Sequence, residues 1–236
     1  ELLRTTDEGL GVVTLLELPS GQDRPVLFST FLVWLLAELF EELPEVGDLD
    51  RPKLVFFLDE AHLLFEDASD AFMDQIEQVI RLIRSKGVGI FFCTQNPTDV
   101  PAAVLSQLGL KIQHSLRAFT AADRKAIKQT AENYPETEFY KTEDLITHLG
   151  VGEAMITMLN EKGIPTPLVH TMLVAPRSRM DILSPSEIDE LVKRSKLVDK
   201  YNKEVDSKSA HEILTEKLEL AADNEQEEKD KKTTRK

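Results

Sequence analysis

The residues with the clearest capacity for chemistry sit in one short stretch, Leu54 to His62, which reads LVFFLDEAH. Its first five residues, apolar and mostly branched or aromatic, predict a strand. Two consecutive carboxylates, Asp59 and Glu60, leave that strand at its C-terminal end, where open α/β sheets bind ligands. Placing two charges beside a buried strand without a reason is expensive. One reading is a Walker B element, in which Asp59 holds the Mg²⁺ of a nucleotide, usually through water, and Glu60 orients or deprotonates the attacking water. The other is a pair of solvated acids opening a loop. His62 by itself reads as an ordinary surface or turn histidine.

A second strand, Val88 to Thr94 (VGIFFCT), releases Thr94, Gln95 and Asn96 at the same sheet edge, one βα unit after the acids. Ring-forming and RecA-like ATPases use a polar residue there to sense the γ-phosphate, because an amide can donate to phosphate and accept from water at once. Between the two strands lies IRLIRSKG, Ile80 to Gly87, with Arg81, Arg84 and Lys86. Cations near a helix C-terminus are favoured by the dipole, by about 0.3 to 1 kcal/mol. The sharper reading is an arginine finger reaching a neighbouring subunit's γ-phosphate. The residues alone leave both open.

The elements that must position these groups follow an α/β rhythm from Gly11 to Val174, as expected of a mostly parallel sheet covered by helices. Val12 to Leu18 reads as a strand, and Pro25 to Leu43 as a long apolar helix ended by Pro44. From about Ser69 to Ser85 the apolar positions Phe72, Ile76, Val79, Ile80 and Ile83 keep helical spacing, and Gly87 ends the run. Pro101 to Gln107 predicts a short helix, Leu110 to Leu116 a strand, and residues 121–132 and 142–149 helices. Glu153 to Leu159 and Pro167 to Val174 predict a hairpin joined at Lys162 and Gly163. Beyond a domain expected to span 1–180, a helical extension is expected over 181–222. Its capping boxes are Ser184 with Glu187, Pro185 between them, and Ser209 with Glu212. Residues 223–236 are almost wholly polar and predict a disordered tail.

Composition bounds the rest. With 236 residues, 42% hydrophobic and 30% charged, the chain can bury a proper core. Its single cysteine, Cys93, forms no internal disulfide and no zinc spacing, which points to a reducing, cytoplasmic compartment. No stretch has the ~20 nearly uncharged residues of a membrane helix. The net charge is −14, yet residues 1–80 carry 4 basic and 18 acidic side chains while residues 81–128 carry 8 basic and 2 acidic. Nucleic acid over the whole surface is thereby disfavoured, and one locally basic segment stands out. The chain opens on Glu1 within strand-forming sequence, so an upstream part is expected.

PKLVFFLDEAHLLF, VIRLIRSKGVGIFFCTQNPTDVP and QLGLKIQHSLRAFTAADRKAI together resemble the C-terminal half of the ATPase core of HerA-like proteins, in the HerA/FtsK group of hexameric DNA-pumping ATPases. The similarity runs from about Leu10 to Arg179. It implies a RecA-like P-loop fold, ATP and Mg²⁺ as cofactors, a homo-oligomer, in this group a hexamer, and DNA as partner. It puts the Walker B residues on Asp59 and Glu60, the sensor on Gln95, and the arginine acting in trans on Arg84, with Ser85 intervening before Lys86. A further arginine of the group falls on Arg117. The partner nuclease of some HerA-like systems is not readable from this stretch.

Nothing in the chain fits Gly-x-x-x-x-Gly-Lys-Ser/Thr, the loop that cradles phosphates. The sequence therefore reads as part of a ring motor on DNA. The other readings are a ring ATPase acting on protein and a non-catalytic interaction module. A DEAH-type helicase, suggested by Asp59 to His62, lacks its Ser-Ala-Thr and arginine-rich glutamine motifs. Because positioning is most of phosphoryl-transfer catalysis, the 236-residue chain alone is expected to release no appreciable phosphate from ATP in a steady-state assay. Robust hydrolysis by it would show that the cradle is dispensable.

Overall fold

The computed structural model describes residues 1–16, 25–47, 49–66, 68, 70–203, 212–215 and 217–218. The chain divides into two compact units, Glu1–Ala175 and Pro176–Lys236. In the first, helix α1 (Pro25–Glu42) precedes strand β1 (Leu54–Leu58), helix α2 (Asp70–Leu82) and strand β2 (Val88–Phe92). β1 and β2 pair in parallel, Leu54 opposite Val88 and Leu58 opposite Phe92. One face of this pair packs on the helices. Leu58 joins Leu32 and Val33 of α1, Ile76 and Ile80 of α2, and Leu64, Val100 and Val104 in one core, while Leu36, Val79, Ile83 and Val88 form a second cluster.

An all-apolar strand sequence suggests burial on both faces, but the structure is one-sided. Phe57 is 68% exposed and Phe91 37%, and their rings stack with centroids 4.7 Å apart on the open face. α1 is similar: it buries Leu32, Val33 and Leu36 and leaves Val26, Leu27 and Trp34 outside.

The remaining strands form a separate sheet. β3 (Leu110–Gln113), β4 (Glu153–Met158) and β5 (Val169–Met172) pair antiparallel in that order. Among the described residues, the sheet expected to be mostly parallel is one parallel pair plus an antiparallel triplet, still within an α/β architecture. The hairpin expected at Lys162 and Gly163 is present, and so short a connection imposes antiparallel pairing. Asn160 Oδ1 accepts from the Lys162 and Ile164 N–H groups at its turn. Helices α3 (Ala102–Leu105), α4 (Ala121–Glu132) and α5 (Thr142–His148) fall where the spacing places them. α4 starts on a capping box of Thr120 and Asp123. Ile127, Ile146, Leu149, Met155 and Leu168 make the core beneath this sheet.

The strand expected over Val12–Leu18 is not formed at residues 12–16, and residues 17 and 18 lie outside the described ones. Val13 is 93% exposed. A strand needs a neighbour to accept its backbone hydrogen bonds, and among the described residues the nearest pairing is the isolated bridge between Thr5 and Gly11.

In the second unit, α6 (Pro185–Arg194) starts on the expected capping box of Ser184 and Glu187. Arg179 donates to both Glu187 oxygens at 2.9 and 3.1 Å. That guanidinium, followed by the Ser184 bonds, holds the Glu187 carboxyl down at about 2. Ser195 takes extended backbone and ends the helix, so Val198 begins the separate α7 (Val198–Tyr201). Glu212 lies in a helical stretch, whereas Ser209 and residues 223–236 lie outside the described residues. No helix among the described residues is long and apolar enough to cross a membrane.

Two features lock the entry to β2. Lys86 Nζ donates to Leu43 O at 2.9 Å, sits 3.1 Å from Glu45 Oε1 and lies over the Phe40 ring. Gly87 has φ of 76°, and its carbonyl accepts from Lys53 N–H at 2.7 Å. A Cβ there would lie 3.1 Å from Val46 and 3.2 Å from Leu49. The left-handed backbone alone disfavours a side chain by roughly 1–2 kcal/mol, so Gly87→Ala is expected to lower unfolding stability by at least about 1 kcal/mol in denaturant titration. A neutral outcome would mean this turn relaxes freely.

Candidate functional site

The end of β1 and the end of β2 emerge level, because the register sets Leu58 against Phe92. Two backbone bonds continue the pairing past the strands: Cys93 N–H donates to Leu58 O, and Ala61 N–H donates to Cys93 O, both at 2.9 Å. The turn after β1 is thereby tied to the turn after β2. Ala61 and Leu64, buried in a short 3-10 helix over Ala61–Leu64, anchor it from below.

On this frame Asp59 and Glu60 stand at one strand tip and Gln95 at the next. Gln95 Nε2 donates to Glu60 Oε1 at 3.1 Å. The other carboxylate oxygen, Oε2, lies 3.3 Å from His62 Nδ1, both side chains being 35% exposed. Asp59 Oδ1 accepts from Glu60 N–H at 3.0 Å. Thr94 closes its own turn, its hydroxyl accepting from Asn96 N–H at 3.4 Å. Burial pushes the Cys93 thiol up, and the nearby Asp59 carboxylate adds to that shift.

Glu60 also carries the backbone exception of the molecule. Its φ and ψ are 47° and 46°, and it is the one non-glycine residue with positive φ among those described. Such a conformation costs about 1–2 kcal/mol for a residue with a Cβ and persists where surroundings over-determine it, which happens often at functional sites. Here the Asp59 bond, the Ala61 tie, Gln95 and His62 supply that determination.

The structure thus brings Asp59, Glu60 and Gln95 together and leaves the two arginines apart from them. Arg84 is exposed in the 3-10 turn Ile83–Lys86 that precedes β2, whereas Gln95 follows β2. Five strand residues at about 3.3 Å each separate those ends by roughly 16 Å. Arg117 Nη1 donates to Thr147 O at 3.0 Å in the last turn of α5, a common way to satisfy a helix-end carbonyl. His62 is the contact that sequence reasoning passes over. Its signal was the spacing of two residues from Glu60 in a tight turn, which does not fix direction until the left-handed backbone is known.

A lone strand-tip carboxylate such as Asp59 suits Mg²⁺, which keeps its waters and binds through one or two carboxylates together with nucleotide phosphates. Among the described residues no cluster of three His, Cys, Asp or Glu side chains could cage a metal by itself.

Comparison with known proteins agrees with the sequence motifs. The family model described as Helicase HerA-like C-terminal matches residues 1–236. A probable helicase of Methanocaldococcus jannaschii is 31% identical over 122 residues, which is 51% of this chain and 22% of that protein. The chain thus spans about a fifth of that relative's length. Two solved structures share lesser similarity. The genome packaging NTPase B204 from Sulfolobus turreted icosahedral virus 2, in complex with AMPPCP, has TM-score 0.38 and 16% identity over 52% of this chain and 53% of that one. VirB4 of Thermoanaerobacter pseudethanolicus has TM-score 0.46 and 18% identity over 72% and 40%.

The left-handed Glu60 gives a stability test independent of activity. Glu60→Gly removes a strain of about 1–2 kcal/mol and adds unfolded-state entropy of about 0.4–1 kcal/mol. The lost Gln95 hydrogen bond, about 0.5–1.5 kcal/mol, and His62 contact offset this gain, so thermal or urea unfolding is expected to place the variant within about 1 kcal/mol of the parent. A loss well beyond what those two contacts contribute would mean the conformation carries little strain.

Proposed function

The chain belongs to the HerA-like helicase C-terminal family, and from that premise we propose that it supplies the water-activating part of a RecA-like ATPase ring, a hexamer, that translocates or remodels DNA. The observation that carries this reading is the 3.1 Å contact of Gln95 with Glu60 at the tips of adjacent parallel strands. A carboxylate and an amide so placed can flank one water once the amide swings off the carboxylate. Glu60 takes a proton from that water or aligns it, and Gln95 turns its amide to the γ-phosphate. Asp59 would hold Mg²⁺ with the nucleotide, and the ion's charge would offset the negative charge that develops on the phosphate oxygens.

Arg84 fits this scheme only as a residue acting on a neighbour. A strand length lies between it and its own Glu60, while its place in the 3-10 turn after α2 suits projection across a subunit boundary. Lys86, held by Leu43, Glu45 and Phe40 of its own chain, is committed to the fold. The locally basic segment 81–128 supports a polyanionic partner. Arg117, in the irregular segment after β3, is a secondary candidate for the interface.

Measurement of ATP hydrolysis by the full-length protein, with and without duplex DNA, tests the reading. DNA-stimulated turnover is expected; hydrolysis indifferent to DNA would favour a ring that remodels protein. Glu60→Gln should abolish turnover while preserving or tightening ATP binding, and Asp59→Asn should weaken Mg²⁺-dependent binding. Wild-type turnover in Glu60→Gln would overturn the Walker B assignment. Arg84→Ala should reduce turnover by roughly 10³-fold or more, and mixing it with Glu60→Gln subunits should restore part of the rate. Full activity of Arg84→Ala would reduce that residue to a helix-end cation.

A further inference from the structure

Resting on the reading that Glu60 activates water, we infer that His62 is a positioning residue for that carboxylate. Both Glu60 oxygens are engaged: Gln95 Nε2 donates to Oε1 at 3.1 Å, and His62 Nδ1 lies 3.3 Å from Oε2. A carboxylate held at both oxygens is parked, with neither fully open to a water. Catalysis requires one of the two partners to let go. Gln95 sits on an exposed turn beyond β2, and in this scheme it is the partner that leaves for the phosphate.

His62 is built to stay. Its backbone carbonyl accepts from Phe65 and Glu66 N–H groups, both at 3.0 Å, and the preceding Ala61 N–H is tied to Cys93 O. Ala61 and Leu64 on either side of it are buried. The imidazole therefore rides on a fixed 3-10 turn, whereas the Glu60 side chain by itself has three rotatable bonds. When Gln95 turns away, His62 pins Oε2 and leaves Oε1 facing the space that the amide vacated, where the water must sit. At 3.3 Å the contact is an ion-pair distance, and it holds the carboxylate when the imidazole carries a proton on Nδ1. A general base loses rate steeply when misplaced, about 10²-fold for an ångström, so fixing this rotation bears on kcat and not on nucleotide binding.

The test uses steady-state ATP hydrolysis by the full-length protein, with wild type and Glu60→Gln measured alongside. His62→Ala is expected to lower kcat roughly 10- to 100-fold with KM for ATP unchanged. His62→Asn, whose amide can donate from near the Nδ1 position, should recover most of the rate, and His62→Leu, of similar size without a donor, should not. The Asn and Leu pair keeps the comparison decisive if the alanine variant melts early. Equal rates for those two, a loss confined to KM, or full kcat in His62→Ala would each overturn the positioning role. Absent hydrolysis in wild type, or full turnover in Glu60→Gln, would instead overturn the water-activating reading of Glu60 beneath it.

Discussion

A parallel strand pair has no tight turn to set its register, so burial and flanking contacts must do it. In β1 and β2 the alternation that sends Leu54, Phe56 and Leu58 inward, and Val55 and Phe57 outward, allows a shift only by two residues without inverting the faces. Lys53 bonded to Gly87 at one end, and Ala61 and Leu58 bonded to Cys93 at the other, remove that freedom as well. The strand tips come out level for this reason. Asp59, Glu60 and Gln95 share one edge as a consequence of packing that occurs a strand length away.

The same constraint orders the energetics. Helices α1 and α2 cover the inner face through aliphatic side chains, the least directional of interactions. Polar bonds with sharper geometry then appear at the two ends: Lys86 and Gly87 where β2 begins, Cys93 and Ala61 where both strands finish. Among the described residues, positive φ at a residue with a Cβ occurs at Glu60 alone. A surrounding core can over-determine one such residue at a cost of about 1–2 kcal/mol, small beside the apolar area buried below it.

Much of this was legible in the residues. The apolar spacing of Phe72 through Ile83 and the glycine at 87 gave α2 and its end, and the hairpin turn at Lys162 and Gly163 was readable from its turn residues. Placing Gln95 beside Glu60 needed only the assumption that two successive strands are neighbours. What escaped depended on long-range partners or on backbone sign. Val12 to Leu16 has the composition of a strand but meets no ladder among the described residues, and composition carries no information about a neighbour. The left-handed turn at Glu60 has no glycine or asparagine to announce it, and the His62 contact follows from that turn. Lys86 looked like one cation among three until α1's C-terminal carbonyl and a ring were found around its ammonium.

The stacked Phe57 and Phe91 on the open sheet face, and separately Trp34 and Leu27 on the outer side of α1, leave large apolar side chains exposed on this molecule. Against them stands a net charge of −14. Charge repulsion between copies reaches only about 10 Å at 0.1 M salt and about 3 Å at 1 M. Salt that screens this charge therefore lowers the electrostatic opposition to contact between such apolar surfaces.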